Sequence, residues 1–455
     1  SEFGIASIGW RIPTNAKLGD YSIEVRDPNG DQIGGRQIKV SRYDLPNFVV
    51  TAKPQKSFYL PSENQAEVEI RADYLFGKPV TQGKVRVVEE TSREWNWKEQ
   101  KYDIDEGQTS EGETDAAGKF TAKFDLKEKH DDIKEDNWRK YKDIHFAAYF
   151  TDHTTNKTEQ RRFDIRVTKE PIHVYLVGNK YGLNPNLPIN AYVSTFYADG
   201  APAECEVEIK ASADDEDKFK TVGRTKTNSF GAGRIRLSRP KIGDPDDDLD
   251  FGIIVKDKNG RRGTFTEDIS FDGSNDVIQI TTDRSVYKPG DAVNVKIQSN
   301  IVRGPIYVDV ISGWSVVESR FAELKDGKAE LQIPYNDAFK GVLKIAAFAE
   351  DDDDVVSVSR GVIFPATQNI KVDAEFDKQI YKPNEEATVR FGVVDAIGQP
   401  LESALGVVIL DKAVEERART DAEFGNIWRD YSGFFGYGDG FGAVNVKDLN
   451  ELDLT

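Results

Sequence analysis

Four stretches of the chain share a pattern in which a proline-containing turn leads into apolar residues at every second position. They read FYLPSENQAEVEI (58–70), KYGLNPNLPINAYV (180–193), VYKPGDAVNVKI (286–297) and IYKPNEEATVRF (380–391). Each has a tyrosine near the proline, and each ends in an alternation such as Val293, Val295 and Ile297. Period two with β-branched residues predicts a strand that buries one face.

A second proline turn follows each stretch at a nearly constant distance. Counted from Pro61, Pro185, Pro289 and Pro383, the second prolines come 16 to 18 residues later, at Pro79, Pro202, Pro305 and Pro400. Neighbouring glycines and the fixed φ of proline suit tight turns between strands. The stretches recur at steps of 124, 104 and 94 residues, which are β-sandwich lengths. The sequence therefore predicts an all-β fold of tandem antiparallel β-sandwich domains, immunoglobulin-like or fibronectin-like.

Two hairpins mark the ends of such units. YSIEVRDPNGDQIGGRQIKV (21–40) and FGIIVKDKNGRRGTFTEDI (251–269) both carry an Asn-Gly turn signal after Val-x-Asp. Residues 1–43 are thus predicted to be the C-terminal part of a unit. The remaining units are predicted at 44–169, 170–273, 274–366 and 367–455. The linkers between them are short, which favours domains that pack against their neighbours over domains that move independently.

Extra segments interrupt this regular pattern. Residues 89–120 and 125–143 lengthen one unit, and the second of them is charged enough to predict a short surface helix. Residues 415–431 are rich in helix formers and predict a short helix near the C-terminus, ahead of the glycine and aromatic loop SGFFGYGDGFG (432–442). The last unit is therefore predicted to be interrupted.

The net charge limits the kinds of binding partner, and the cysteine content limits the class of protein. With 61 Lys and Arg against 79 Asp and Glu, the net charge is −18, which argues against nucleic acid and anionic membrane surfaces. No apolar run approaches the ~18 residues that cross a bilayer. A single cysteine, Cys205, disfavours a disulfide-dense animal ectodomain. A bacterial periplasmic or surface location and an intracellular one both remain open on this ground.

Residues that often carry chemistry do not form a recognisable constellation. No serine lies in a nucleophile-elbow motif. The four histidines are scattered without the spacing of metal ligands; these histidines are His130, His145, His153 and His173. Cys205 lies in a strand-like alternation and is predicted to be buried and inert. We predict no enzymatic activity, no catalytic residues, no cofactor and no metal.

Other polar and aromatic features have an ordinary and a functional interpretation. Acidic runs at 214–217, 244–250 and 351–354 lack calcium-loop spacing and are predicted to be solvated loops. The 433–442 loop is not a phosphate cradle, because Phe441 replaces the glycine that such a motif needs. Four tryptophans in or near the insertions form either a recognition patch or packing contacts; they are Trp95, Trp97, Trp138 and Trp428.

The order of motifs resembles the macroglobulin-like domains of the alpha-2-macroglobulin family. Residues 43–88 carry an LP-x-F entry, a Y-x-P turn and Y-x-FG-x-PV, which resemble the third such domain. Residues 381–414 end in DKAV and resemble the sixth. The resemblance implies that the five units run from the end of the second domain into the sixth. It also implies a bait segment, which proteases cut, inserted in the sixth domain at or after the end of this chain.

The resemblance also supplies the expected function. It implies a scaffold fragment of a broad-spectrum endopeptidase inhibitor, bacterial and periplasmic or extracellular, which meets proteases through parts of the full-length protein outside this fragment. The family's Cys-Gly-Glu-Gln thioester motif is absent, since Cys205 is followed by Glu206 and Val207. Two alternatives stay open: a structural or adhesion protein built of tandem sandwiches, and a thioester-dependent opsonin. The opening Ser1-Glu2-Phe3 reads like a vector remnant, so we expect a native signal sequence to lie outside the chain.

Overall fold

A computed structural model of the 455-residue chain describes most of its length. The described residues are 9, 11–40, 46–96, 98–99, 101–136, 139–178, 181–213, 219–351, 354–365, 370–382, 385–395, 398–407, 409, 412–416 and 419. Antiparallel strands dominate them, as the alternating pattern predicts. The predicted all-β fold class is confirmed.

Three complete sandwiches follow one another along the chain. The first sandwich contains β3 (Phe48–Pro54), β4 (Gln65–Tyr74), β5 (Lys84–Asn96), β6 (Lys101–Glu113), β7 (Lys119–Asp125), α1 (Lys127–Glu135), β8 (Tyr141–Thr151) and β9 (Thr158–Thr168). The second contains β10 (Ile172–Val177), β11 (Ile189–Tyr197), β12 (Cys205–Ser212), β13 (Lys220–Lys226), β14 (Ala232–Leu237), β15 (Leu249–Asp257) and β16 (Arg262–Ile269). The third contains β17 (Ile278–Thr282), β18 (Val293–Ser299), β19 (Arg303–Ser312), β20 (Ser315–Lys325), β21 (Lys328–Ile333), β22 (Gly341–Asp351) and β23 (Asp354–Phe364).

All three sandwiches use the same strand order. Counting seven strands in each, strands one, two and five form one sheet, and strands four, three, six and seven form the other. In the third sandwich the two sheets join where Lys325 pairs with Lys328. The repeated topology accounts for the repeated sequence pattern, because the same positions face the core in each sandwich.

Two smaller sheets flank these sandwiches. β1 (Gly19–Arg26) pairs with β2 (Gln32–Val40), and β24 (Lys371–Phe376) pairs with β25 (Val389–Val394). The first has the form of a closing hairpin and the second of an opening strand pair. The predicted units, with their boundaries at 43, 169, 273 and 366, stay predictions.

The predicted alternation places the core. Val293, Val295 and Ile297 on β18 are each 1% exposed, while the residues between them face outward. A second core strand, β4, buries Ala66, Val68, Ile70 and Ala72 in the same way. Burying one Val or Ile side chain stabilises a fold by ~1.5–3 kcal/mol. Each sandwich has a core cluster of its own.

The proline turns attach the beginning of each sandwich to its last strand. The backbone N–H of Tyr59 donates to Arg166 O (2.8 Å), and Tyr287 N–H donates in the same way to Ile363 O (2.8 Å). In the second sandwich the residue that makes this bond is Leu183, whose N–H donates to Ser270 O (3.0 Å). Tyr181, the tyrosine of that stretch, is exposed, and Leu183 has the position that Tyr59 and Tyr287 have in the other two sandwiches.

Where a carboxylate lies four residues before the tyrosine of the turn, the tyrosine hydroxyl donates a hydrogen bond to it. Tyr287 is 1% exposed and donates its hydroxyl to Asp283 Oδ1 (2.7 Å). Tyr381 donates likewise to Asp377. In the first sandwich this position holds Gln55, and the buried Tyr59 hydroxyl has no hydrogen-bond partner among the described residues.

This difference predicts opposite results for the same substitution. Tyr287→Phe removes a hydrogen bond to a carboxylate and leaves Asp283 with one donor fewer, so it should lower the free energy of unfolding by ~2 kcal/mol. Tyr59→Phe removes only an unpaired hydroxyl and should leave stability unchanged or raise it. Thermal unfolding, with hydrogen exchange to assign the sandwich, measures both. Equal losses in the two variants would contradict this account of the turn.

Helices are few among the described residues. α1 confirms the short helix predicted within 125–143, and it turns His130 and Ile133 inward. Residues 412–416 and 419 are helical, and the rest of the helix predicted over 415–431 lies outside the described residues. In the described part of the chain, no helix combines the length and apolarity needed to cross a membrane.

Candidate functional site

The four histidines lie in separate surroundings. His130 is buried on α1 with its Nε2 3.2 Å from Glu63 O, and His153 is exposed in the β8–β9 turn. His145 is on the outer face of β8, where its Nδ1 lies 2.7 Å from Asp164 Oδ1; this hydrogen bond raises the pKa of His145. His173 is buried on β10. Within the described ranges, no group of three or more His, Cys, Asp and Glu side chains could hold a metal ion.

The single cysteine is a core residue, as predicted. Cys205 is 3% exposed in the second sandwich, and burial raises the pKa of its thiol. Its backbone N–H donates to Thr227 Oγ1 (2.8 Å), and Thr195 Oγ1 donates to Ala203 O (2.6 Å) in the same buried group. A buried thiol of raised pKa is a poor nucleophile.

The proposed aromatic patch falls largely outside the described residues. Trp97, Trp138 and Trp428 are not described, nor is the side chain of Trp95 or the 432–442 loop. The acidic run at 244–250 is a surface loop before and at the start of β15. Sequence reasoning missed Trp314, which is 104% exposed at the tip of the β19–β20 hairpin. The sequence signal for this exposed position was that Trp314 stands between Gly313 and Ser315, which are residue types typical of turns.

Charged groups concentrate where the first and second sandwiches meet. Lys140 is largely buried and donates through Nζ to Val174 O (2.7 Å) across this joint. Burial lowers the pKa of Lys140, against the opposing charge of Glu170. Arg166 donates through Nη1 to Ala198 O (2.8 Å), while Nε and Nη2 bind both oxygens of Asp143 (2.6 and 2.7 Å). Two cations of the first sandwich thus hold backbone carbonyls of the second.

His173 lies inside this joint. It is 5% exposed, its Nε2 is 2.9 Å from Thr168 Oγ1, and its ring stacks on Tyr141 at 5.4 Å. Burial, with smaller contributions from the charges of Lys140 and Arg166, lowers the pKa of His173 to about 4. The imidazole is therefore neutral at physiological pH.

A carboxylate completes the same joint from the linker between the sandwiches. Glu170 accepts hydrogen bonds from both the backbone N–H (2.9 Å) and the hydroxyl (2.7 Å) of Thr264 on β16. Beside it, Gly263 packs so closely that a Cβ there would lie 2.1 Å from Ile172 O. The linker is therefore fixed to the last strand of the second sandwich.

A smaller joint connects the second and third sandwiches. Gln279 on β17 donates through Nε2 to Pro188 O (2.9 Å) and accepts from Asn190 Nδ2 (2.8 Å). Arg236 donates to Gln298 Oε1 (3.0 Å) alongside. Both joints are built from hydrogen bonds, and the described residues of neither joint include an activated nucleophile or an acid–base pair. Their arrangement suits holding domains in a set relation rather than catalysis.

Beyond the third sandwich, apolar residues remain exposed. Phe376 at the end of β24 and Phe391 on β25 are 63% and 45% exposed. Of the described residues from 370 onward, only Ala413 is among the buried apolar set. The described residues of this part therefore form no core of the kind that the three sandwiches have.

Comparison with known proteins identifies two of these regions. The family model for macroglobulin domain MG3 matches residues 42–132, within and just before the first sandwich. The model for the alpha-2-macroglobulin bait region domain matches residues 278–416, from β17 of the third sandwich to the helical residues 412–416. This match ends ahead of the place, at or after the end of the chain, where we predicted the bait segment.

Relatives along the chain are distant. An alpha-2-macroglobulin homolog from Nostoc sp. is 21% identical over 489 residues, which cover 91% of this chain and 24% of that protein. Complement C3 from Oncorhynchus mykiss is 32% identical over 79 residues, 17% of this chain and 5% of that protein. The chain thus spans about a quarter of the length of its Nostoc relative. A crystal structure of Salmonella alpha-2-macroglobulin reacted with methylamine matches 84% of this chain and 27% of its own, at 12% identity and a TM-score of 0.30.

Proposed function

Because the chain belongs to the alpha-2-macroglobulin family, we propose that it is part of the framework of a broad-spectrum inhibitor that traps proteases. Members of the family are protease inhibitors and not enzymes, in agreement with our prediction of no enzymatic activity. The observation that carries the proposal is the bait region domain at residues 278–416. In the family this domain implies contact with proteases.

The joints between the sandwiches support a framework role. A trap that closes after a cut needs domains that move as units, and packed cores linked by fixed joints have that property. Lys140, Arg166 and Glu170 hold the first joint, while Gln279 and Arg236 hold the second. In this proposal the segment that proteases cut lies after residue 416, beyond the bait-region match.

Location follows from the same proposal. A protease trap is useful where foreign proteases arrive, and the Nostoc relative is bacterial, so we place the intact protein in the periplasm or at the cell surface. The chain carries one cysteine and needs no disulfide to complete its cores. Its partners in this proposal are proteases, and the net charge of −18 gives no reason to add nucleic acid or anionic membrane.

The full-length protein incubated with trypsin tests the proposal. A trap encloses the protease without blocking its active site, so hydrolysis of a large protein substrate should fall about tenfold or more, while a small chromogenic peptide is still cleaved. Intact mass spectrometry of the first product should place the early cut after residue 416. Scattering should show a more compact particle after the cut.

Inactivated trypsin, with its active-site serine blocked, serves as the matched control and should cause neither the cut nor the change of shape. Undiminished cleavage of the large substrate would instead favour the structural or adhesion protein. A cut with surface labelling but no protected protease would favour the opsonin.

A further inference from the structure

The outer face formed by strands four, three, six and seven differs between the three sandwiches. In the first sandwich, Arg86 on strand three forms an ion pair with Glu111 on strand four (3.0 Å). In the second, Glu208 and Arg224 form an ion pair between the same two strands (3.1 Å). The third sandwich has two aromatic side chains opposite each other on these strands. Its face is therefore suited to contact with another apolar surface.

Three aromatic rings cross this face of the third sandwich side by side, and we call them the aromatic ridge. Tyr307 on β19 lies opposite Phe321 on β20 and Phe348 on β22, with ring centroids 5.9 and 5.5 Å apart. The next residues along β19 and β22, Val308 and Ala347, are buried in the core, so the rings are on the outer side. Phe321 is 62% exposed and Tyr307 43%. Contiguous exposed apolar side chains are typical of interaction surfaces.

A row of smaller side chains lies beside the ridge, and we call it the trough. It consists of Ser319, Asp309 and Ala346, each two residues away from a ridge residue on its own strand. The Ser319 hydroxyl donates to Asp309 Oδ1 (2.6 Å), which keeps both side chains low on the sheet. Residues on one face of a strand repeat every ~7 Å, so ridge and trough are adjacent rows.

A two-fold axis that crosses the strands between the two rows makes the face complementary to itself. Rotation about this axis turns a second copy over and reverses its strands, while each strand stays over its own counterpart. The ridge of one copy then fills the trough of the other, as Phe348 does over Ala346 of the second copy. On β19, the Tyr307 hydroxyl comes opposite the carboxylate of Asp309. Faces of two sheets pack in this interdigitated way inside β-sandwiches.

The same axis brings opposite charges together. Lys344 and Glu350 are exposed on β22, each three residues from Ala347, so Lys344 of one copy comes opposite Glu350 of the other. Neither has an ion pair or hydrogen bond with any side chain that the structure describes. On β23, Val355 lies beside Glu350 and Gly361 beside Lys344, so the axis also places the 60% exposed valine over the glycine.

We propose that this face of the third sandwich is the interface between two copies of the chain, related by a two-fold axis that crosses β22 at Ala347. Four strands ~4.8 Å apart and seven residues at a rise of ~3.3 Å give the face roughly 400 Å² in each copy. An area of this size is typical of weak, reversible contacts. We therefore expect a dissociation constant on the order of 10 μM. The inference does not rest on protease trapping, and its test contains no protease, so either proposal can fail alone.

Sedimentation velocity of the 455-residue chain, from ~1 to ~200 μM, measures the association. The sedimentation coefficient should rise with concentration to the value of a dimer and no further, because a two-fold contact closes on itself. A chain that remains monomeric over this range would overturn the proposal and would leave the face to a different protein. Continued growth into larger species would overturn it as well.

Ala346→Phe separates the fit of ridge and trough from general apolar attraction. The new ring adds apolar surface but occupies the place of Phe348 of the second copy, so the dissociation constant should rise at least about tenfold. Ala116→Phe makes the same change at an exposed turn of the first sandwich and should change the constant less than about twofold. Tighter association of Ala346→Phe would contradict the proposed fit.

An exchange of charges tests the two-fold relation itself. Lys344→Glu and Glu350→Lys each place like charges opposite one another, and each should raise the dissociation constant at least about tenfold. The variant with both changes has opposite charges again and should return to within about threefold of the unaltered chain. Circular dichroism confirms that all variants are folded. A double variant no tighter than the single ones would overturn the proposed register.

Discussion

Gly231→Ala should lower the free energy of unfolding of the second sandwich by about 3 kcal/mol or more. Gly231 has φ +72°, a conformation that side chains disfavour, and an added Cβ would lie 2.1 Å from Thr195 O. Both obstacles are backbone atoms or backbone angles, so no side-chain movement removes them. The Gly231 carbonyl also accepts the Thr195 N–H (2.7 Å), which ties the β13–β14 turn to β11.

Gly260→Ala separates the two causes. Gly260 has a similar φ of +84°, yet the nearest atom to an added Cβ is the end of Lys256, at 3.8 Å. This variant should lose only about 1 kcal/mol, from the backbone angle alone. Thermal unfolding with hydrogen exchange in β10–β16 gives both values. A loss at Gly231 no larger than that at Gly260 would show that the Thr195 contact relaxes.

Acidification should weaken the joint between the first and second sandwiches well before most carboxylates protonate. The pKa of His173 is about 4 in the folded protein and ~6.5 when unfolded. Between these values the unfolded chain binds a proton that the folded chain does not, so stability falls as the pH drops from ~6.5 to ~4. At ~1.4 kcal/mol for each pKa unit, the loss approaches about 3 kcal/mol at pH 4.

Denaturant unfolding at pH 7, 6, 5 and 4 measures this loss. His173→Gln keeps a polar partner for Thr168 and removes the titration, so its stability should vary much less over this range. His145→Gln is the control, because the raised pKa of His145 gives stability that is present below ~6.5 and is lost as the pH rises. His145 is exposed, so solvent keeps that contribution small. Parallel curves for the unaltered chain and His173→Gln would refute the role of His173.

Carboxylates add a separate loss at lower pH. Burial alone would raise the pKa of Asp257, but hydrogen bonds from Arg261, Tyr197 and backbone amides hold it below its ordinary value. Its stabilising effect is present above the unfolded pKa of ~3.9 and is lost as the pH falls through the lower folded value. This window lies below that of His173, so the two effects appear as separate steps.

The repeated fold could be predicted because its causes are local. Alternating residues such as Val293 and Val295, and prolines such as Pro61 and Pro289, act within a few residues of their own position. Leu183 was missed because its role depends on a backbone hydrogen bond, which leucine makes as well as tyrosine does. Its residue type carried no signal.

The joints could not be predicted for a related reason. Lys140 and Arg166 bind backbone carbonyl oxygens of the second sandwich. Because every residue has a carbonyl oxygen, no sequence pattern in the second sandwich indicates these contacts. The types of element could be predicted from patterns within a few residues, while contacts between elements far apart in the chain could be identified only from the structure.

The contacts of Lys140 and Arg166 with carbonyl oxygens also make the first joint unequal in its tolerance to mutation. Val174 and Ala198 contribute backbone atoms to these bonds, so many side chains could replace theirs without loss of the bonds. Lys140 and Arg166 have no such freedom, because the hydrogen bonds come from their side chains. Variation can therefore accumulate on one side of the joint while the other side stays constrained.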